Sequence, residues 1–94
     1  MATTITINDG NTAQVDLGNS NSMSITAAGG TATVYVDYQN PAGSGNYSSA
    51  IKGSAGYGNP FSVASGATKV VNKSDLESEH VRVGVTGANI TVVY

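Results

Sequence analysis

The chain has one histidine, His80, and it stands beside Glu79, the last of three carboxylates (Asp75, Glu77, Glu79) within five positions. Imidazole next to carboxylate is the raw material of acid–base catalysis. Nucleophilic catalysis also needs a Ser or Thr activated by the base, and a third group to orient that base. Serines are abundant here, so a Ser near His80 carries no information. The favoured reading of His80 is a solvated residue at a strand start, and no catalytic residue is assigned. Paired carboxylates can also exchange protons or bind calcium. Lys69, Lys73 and Arg82 flank this cluster, which favours a mixed-charge surface turn. Asn8-Asp9-Gly10-Asn11 resembles part of a calcium loop but lacks the remaining acidic ligands, so it reads as a turn. No metal ligand set is assigned. Gly53-Ser54-Ala55-Gly56-Tyr57-Gly58 is glycine-rich, yet no strand-to-helix pattern surrounds it to cradle a phosphate. No cofactor site is assigned.

Tyr47 and Tyr57 hold the remaining interest. Both lie among small polar residues, and tyrosine supplies rigid contact area with a polar tip. Together with Asn46, Asn59 and Tyr35 they form the candidate partner-binding set. The competing reading folds each ring back over the end of the domain.

These residues must be positioned by strands, because a period-two pattern keeps restarting along the chain. Ile5 and Ile7 alternate with threonines. Ala13, Val15 and Leu17 alternate with Gln14 and Asp16, and Met23 and Ile25 with Ser24 and Thr26. Val34 and Val36 alternate with Tyr35 and Asp37, and Val81, Val83 and Val85 with Arg82 and Gly84. Successive side chains of a strand point to opposite faces, so each run has one apolar and one polar side. Turn signals every 8–12 residues separate about eight or nine short strands. The expected fold is all-β: one antiparallel, jelly-roll-like β-sandwich spanning 1–94. The first four strands, Thr3–Ile7, Thr12–Leu17, Ser22–Ala27 and Thr31–Gln39, are expected to be consecutive neighbours, with Asp9-Gly10 as a hairpin turn. Residues 40–60 hold both prolines and read as a long Gly/Ser/Pro-rich loop, with a short strand at Ala50-Ile51-Lys52. Ser74 and Glu77 are spaced to cap one helical turn that buries Leu76. Val34, Val36, Val83 and Val85 are expected at the centre of the core, with Thr33, Arg82 and Thr86 on a tolerant outer face.

Ninety-four residues make one domain, and no cysteine is present to staple it. Charged residues are 11% of the chain, against about 25% in a typical soluble domain. Four cations cannot supply the clustered positive charge that phosphate backbones require, so no nucleic-acid partner is expected. No apolar run approaches the roughly 20 residues that cross a bilayer, so no membrane partner is expected. Met1 to Ile7 shows no basic segment and no apolar stretch, so synthesis in the cytoplasm without a signal peptide is expected. Thr3–Ile7 and Asn89–Tyr94 lack charge and proline. Unguarded edges of that kind invite further pairing, so either interior strands or another subunit cover them, and a homo-oligomer is expected.

The order of these segments resembles a known group. A threonine-rich strand pair comes first, then Thr31 to Tyr38 with its Val-Tyr alternation. A Phe-Ser-Val segment and the Ser65-Gly66-Ala67 turn follow. The chain closes with Glu79-His80-Val81-Arg82-Val83-Gly84-Val85-Thr86-Gly87 and Ala88-Asn89-Ile90-Thr91-Val92-Val93-Tyr94. In this it resembles the small β-sandwich and jelly-roll structural proteins of tailed bacteriophage particles, including capsid decoration (cement) and tail-associated modules. The resemblance implies a non-enzymatic virion protein, made in the host cytoplasm and assembled on the virion. Its partner would be the major capsid protein or another virion protein, and a trimer would be the favoured oligomer. A glycan-binding module and a tail or fibre component are the alternatives.

Overall fold

The computed structural model describes residues 2–94, which form nine strands and two single-turn 3-10 helices. The strands are β1 (Thr4–Ile7), β2 (Thr12–Asp16), β3 (Ser22–Ala28), β4 (Ala32–Gln39), β5 (Tyr47–Ser49), β6 (Phe61–Val63), β7 (Thr68–Asn72), β8 (His80–Thr86) and β9 (Asn89–Val93). They build two antiparallel sheets. Sheet A runs β1-β9-β3-β7; sheet B runs β2-β8-β4-β5, with β6 paired to another stretch of β4.

The pairing is nested: first strand with last, second with second-last, third with third-last, and β4 with β5 and β6. This is the jelly-roll order, and it corrects the expectation that the first four strands are consecutive neighbours. Asn8 to Asn11 does not close a hairpin but carries the chain from sheet A to sheet B. The link from β8 to β9 crosses back, and the two crossovers are laced together. Asp9 Oδ1 accepts the Gly87 N–H at 2.8 Å, and the Asp9 N–H donates to Asn89 Oδ1 at 2.9 Å. Asp-Gly supplies the left-handed backbone a tight turn needs, and a crossover needs it as much as a hairpin does. Gly87 has φ +92, and a Cβ there would lie 2.8 Å from the Thr31 carbonyl oxygen, so only glycine fits.

Alternation decides which face is inside. β3 reads half-buried, buried, half-buried along Ser22–Ala27, with Met23, Ile25 and Ala27 facing sheet B. From sheet B, Val34, Val36, Val83 and Val85 meet them, each fully buried. No polar or charged residue is buried among the described residues. The termini pair with each other: Thr3 and Tyr94 exchange both backbone hydrogen bonds. Asn89–Val93 is therefore an interior strand between β1 and β3, while β1 remains an edge.

The 40–60 region is more structured than its composition implies. Its strand is Tyr47–Ser49, not Ala50–Lys52. Ala50 and Ile51 turn inward, and Ile51 bridges Leu76. The capping box does not form. The 3-10 turn is Lys73–Asp75, which places Ser74 inside it, and Asn72 precedes it without a side-chain cap. Leu76 is buried as expected.

Candidate functional site

The two outer faces of the sandwich differ in chemistry. On sheet B, β4 and β8 pair Tyr35 with Gly84 and Asp37 with Arg82, and β5 sets Tyr47 opposite Gln39. Strand register alone thus gathers an aromatic and charged cluster on the outward side of three adjacent strands. Arg82 Nε donates to Asp37 Oδ1 at 3.0 Å, and Nη2 donates to Oδ2 at 2.8 Å. This two-pronged pair is 28% and 17% exposed at its two side chains, so water screens it only in part. The hydrogen bond to Asp37 is the main reason the guanidinium pKa lies above its ordinary value. The Arg82 guanidinium also lies 3.5 Å from the centre of the Tyr47 ring. Gln39 Nε2 donates to the Tyr47 hydroxyl at 3.2 Å, fixing the other end of the ring.

Tyr35 is positioned by an absence of side chain. A Cβ on Gly84 would fall 2.0 Å from Tyr35 Cζ, so the ring lies directly over the glycine backbone. Tyr35 and Tyr47 therefore belong to one rigid strand-borne face. Asn46 lies next to it, exposed in the β4–β5 turn, where its carbonyl accepts the Asn40 N–H.

Asn59 has a structural role. Its amide oxygen accepts the Val36 N–H at 3.0 Å, and its Nδ2 donates to the Val36 carbonyl and to Ser49 Oγ. The side chain imitates a peptide and fills the gap between β5 and β6 along the edge of β4. Tyr57 also folds back. It meets Phe61 edge-on at 5.7 Å, Lys69 sits 3.6 Å over its ring, and its hydroxyl donates to Asp75 Oδ2 at 3.2 Å. The structure thus brings Tyr35 and Tyr47 together and holds Asn59 and Tyr57 in the framework.

Burial, then the charge of Asp75, then the hydrogen bond to it push the Tyr57 hydroxyl pKa up to about 12. The ordinary tyrosine value is about 10. A raised folded-state value favours the neutral phenol, so its contribution to stability is complete below about pH 10 and is lost as pH rises through about 12. Ultraviolet titration of the five tyrosines should show a late component that Tyr57→Phe removes. A late component that persists in Tyr57→Phe contradicts this assignment.

Sequence reasoning placed Glu79 beside His80 but missed Asp16. The His80 Nδ1 lies 3.3 Å from Asp16 Oδ1 and its Nε2 3.5 Å from Glu79 Oε1. The other oxygen of Glu79 is 3.3 Å from Lys73 Nζ. Lys73 also donates to the Gly18 carbonyl. The Asp16–His80 register of β2 and β8 creates the contact, and no local signal announces it. Asp16, Glu79 and His80 could in principle present three ligand atoms within 4.8 Å of one another. As placed, each imidazole nitrogen faces a different carboxylate and Lys73 pairs with Glu79, so the group reads as an exposed string of polar contacts. No pocket is found among the described residues, and the chemistry-bearing side chains lie on faces and rims.

Comparison with protein-family models, curated proteins and solved structures returns no match to this chain.

Proposed function

We propose that this chain is a non-enzymatic structural module that docks onto a larger assembly through the outer face of sheet B. The observation that carries this is the preorganised Tyr35–Tyr47–Arg82 cluster. Tyrosine and arginine dominate the energetics of protein interfaces. Here each is fixed before binding, by Gly84, by Gln39 and by Asp37 respectively. Side chains already held in place lose little entropy on association.

The specific version is a capsid decoration protein clamped across neighbouring subunits on the outside of a bacteriophage shell. Its support is the resemblance, together with the jelly-roll order, which recurs in viral capsid and lectin domains. The second reading, a glycan-binding module, draws on the Tyr35 ring held over the Gly84 backbone on an outer face, where a sugar could stack on it. One double substitution, Tyr35→Ala with Tyr47→Ala, separates the two. As a decoration protein, the folded variant should load at least about tenfold more weakly onto undecorated shells of the major capsid protein from the same genome. As a glycan module, the variant should lose signal on a glycan array while shell loading is unchanged. Loading and array signals that both match the parent chain would exclude this face.

A further inference from the structure

We infer that Asp9 is a covalent modification site held shut by the fold: the aspartate at which this chain forms isoaspartate once the lacing between its two crossovers opens. Asp9 is the one aspartate followed by glycine, and no asparagine is followed by glycine. Glycine has no side chain to hinder ring closure at its own nitrogen, so this junction carries the lowest steric barrier to the reaction. Asp9 is exposed, and a Cβ on Gly10 would meet nothing within 4 Å. Water and space are therefore available, and the hydrogen bonds at the junction decide whether the chemistry proceeds.

The reaction needs no co-reactant except water. The Gly10 amide nitrogen attacks Asp9 Cγ and gives up its proton. The N–Cγ bond forms, the Cγ–OH bond of the protonated carboxyl breaks, and water leaves. Water then opens the cyclic imide at the former main-chain carbonyl, breaking its bond to Gly10 N. The main chain thereafter runs through Asp9 Cβ and Cγ, one carbon longer, with the free carboxylate on Cα. In the folded chain both reacting groups are held by the other crossover. The Gly10 N–H donates to the Val85 carbonyl at 2.8 Å, and the Val85 N–H donates to the Asn11 carbonyl at 3.2 Å. Asp9 Oδ1 accepts the Gly87 N–H at 2.8 Å. The Asp9 N–H donates to Asn89 Oδ1 at 2.9 Å, so the residue is tied at its backbone as well. Attack requires the nitrogen to release Val85 and the carboxyl to turn from Gly87, so at least two hydrogen bonds break together. The product cannot restore them, because the extra carbon moves the carboxylate off Gly87 and the Gly10 N–H off Val85. Each opening that reacts leaves a chain whose β1–β2 crossover no longer fits the β8–β9 link.

Peptide mapping with electron-transfer fragmentation tells isoaspartate from aspartate. It tests the inference on the folded chain and on the same chain in urea, aged in one mildly acidic buffer. The unfolded chain should form isoaspartate at Asp9 ahead of Asp16, Asp37 and Asp75, and the folded chain should do so about tenfold or more slowly. Asn89 is exposed, so the fold tolerates alanine there. Asn89→Ala removes one acceptor from the lacing and should speed the folded chain's reaction about threefold or more. Val83→Ala weakens the core without touching Asp9. It should speed the reaction less than Asn89→Ala, because complete unfolding is rarer than local opening. Folded and unfolded chains that age at one rate overturn the inference, since the lacing then holds nothing shut. A Val83→Ala rate at or above that of Asn89→Ala also overturns it, by making complete unfolding the gate. Isoaspartate that appears first at another aspartate overturns the site itself.

Discussion

Replacing Ile25 with alanine is expected to destabilise the domain by about 2–5 kcal/mol, the range for a fully buried large aliphatic residue. Ile25 is fully buried on β3, an interior strand held by β7 on one side and β9 on the other. Neither neighbour can close on the vacated space without breaking ladder hydrogen bonds, so the cavity persists and its cost adds to the lost burial. Small domains have about 5–15 kcal/mol in total, so one substitution removes a large share. Val83→Ala, equally buried in sheet B, removes less volume and should cost about 1–3 kcal/mol. Urea denaturation should show a lower midpoint at constant slope in both variants. A loss under about 1 kcal/mol for Ile25→Ala would mean the two sheets do not close over this position.

What the sequence disclosed follows from the range of the signal. Burial alternation is local, so β3, β4 and β8 were readable from Met23, Ile25, Val34, Val36, Val83 and Val85 without any knowledge of partners. The all-β sandwich follows from that. Pairing is not local. Asp9-Gly10 has the same backbone chemistry in a hairpin and in a sheet-to-sheet crossover, and only the long-range pairing of β1 with β9 and of β2 with β8 separates them. Three-residue strands carry too few positions to show a period, which is why Tyr47–Ser49 was displaced onto Ala50–Lys52. Tyr35 and Tyr47 could be singled out by residue type. Their joining into one face depends on Arg82 and Gly84, far along the chain and aligned by register. The same limit hid Asp16 beside His80.

Register also changes what Arg82 should do. As an outward residue of an alternating strand it reads as tolerant of alanine, within about 1 kcal/mol. In the structure it holds Asp37 with two hydrogen bonds and supports the Tyr47 ring. Exposed ion pairs contribute about 0–1 kcal/mol, while removing one partner of a buried pair costs about 3–5 kcal/mol. At 28% and 17% exposure this pair lies between those limits, so Arg82→Ala is expected to cost about 1–3 kcal/mol. Most of that loss comes from Asp37, whose carboxylate keeps its desolvation and loses its cation. Arg82→Lys should recover only part of it, because an ammonium cannot present the planar fork to both carboxylate oxygens. The decisive measurement is a double-mutant cycle of Arg82→Ala with Asp37→Ala, read by urea denaturation. If the pair acts as a unit, the double variant is less destabilised than the two single losses added together, with a coupling of about 0.5–3 kcal/mol. Simple additivity would reduce Arg82 to the solvated residue its strand position implies. It would also remove the anchor that holds Tyr47 ready on sheet B.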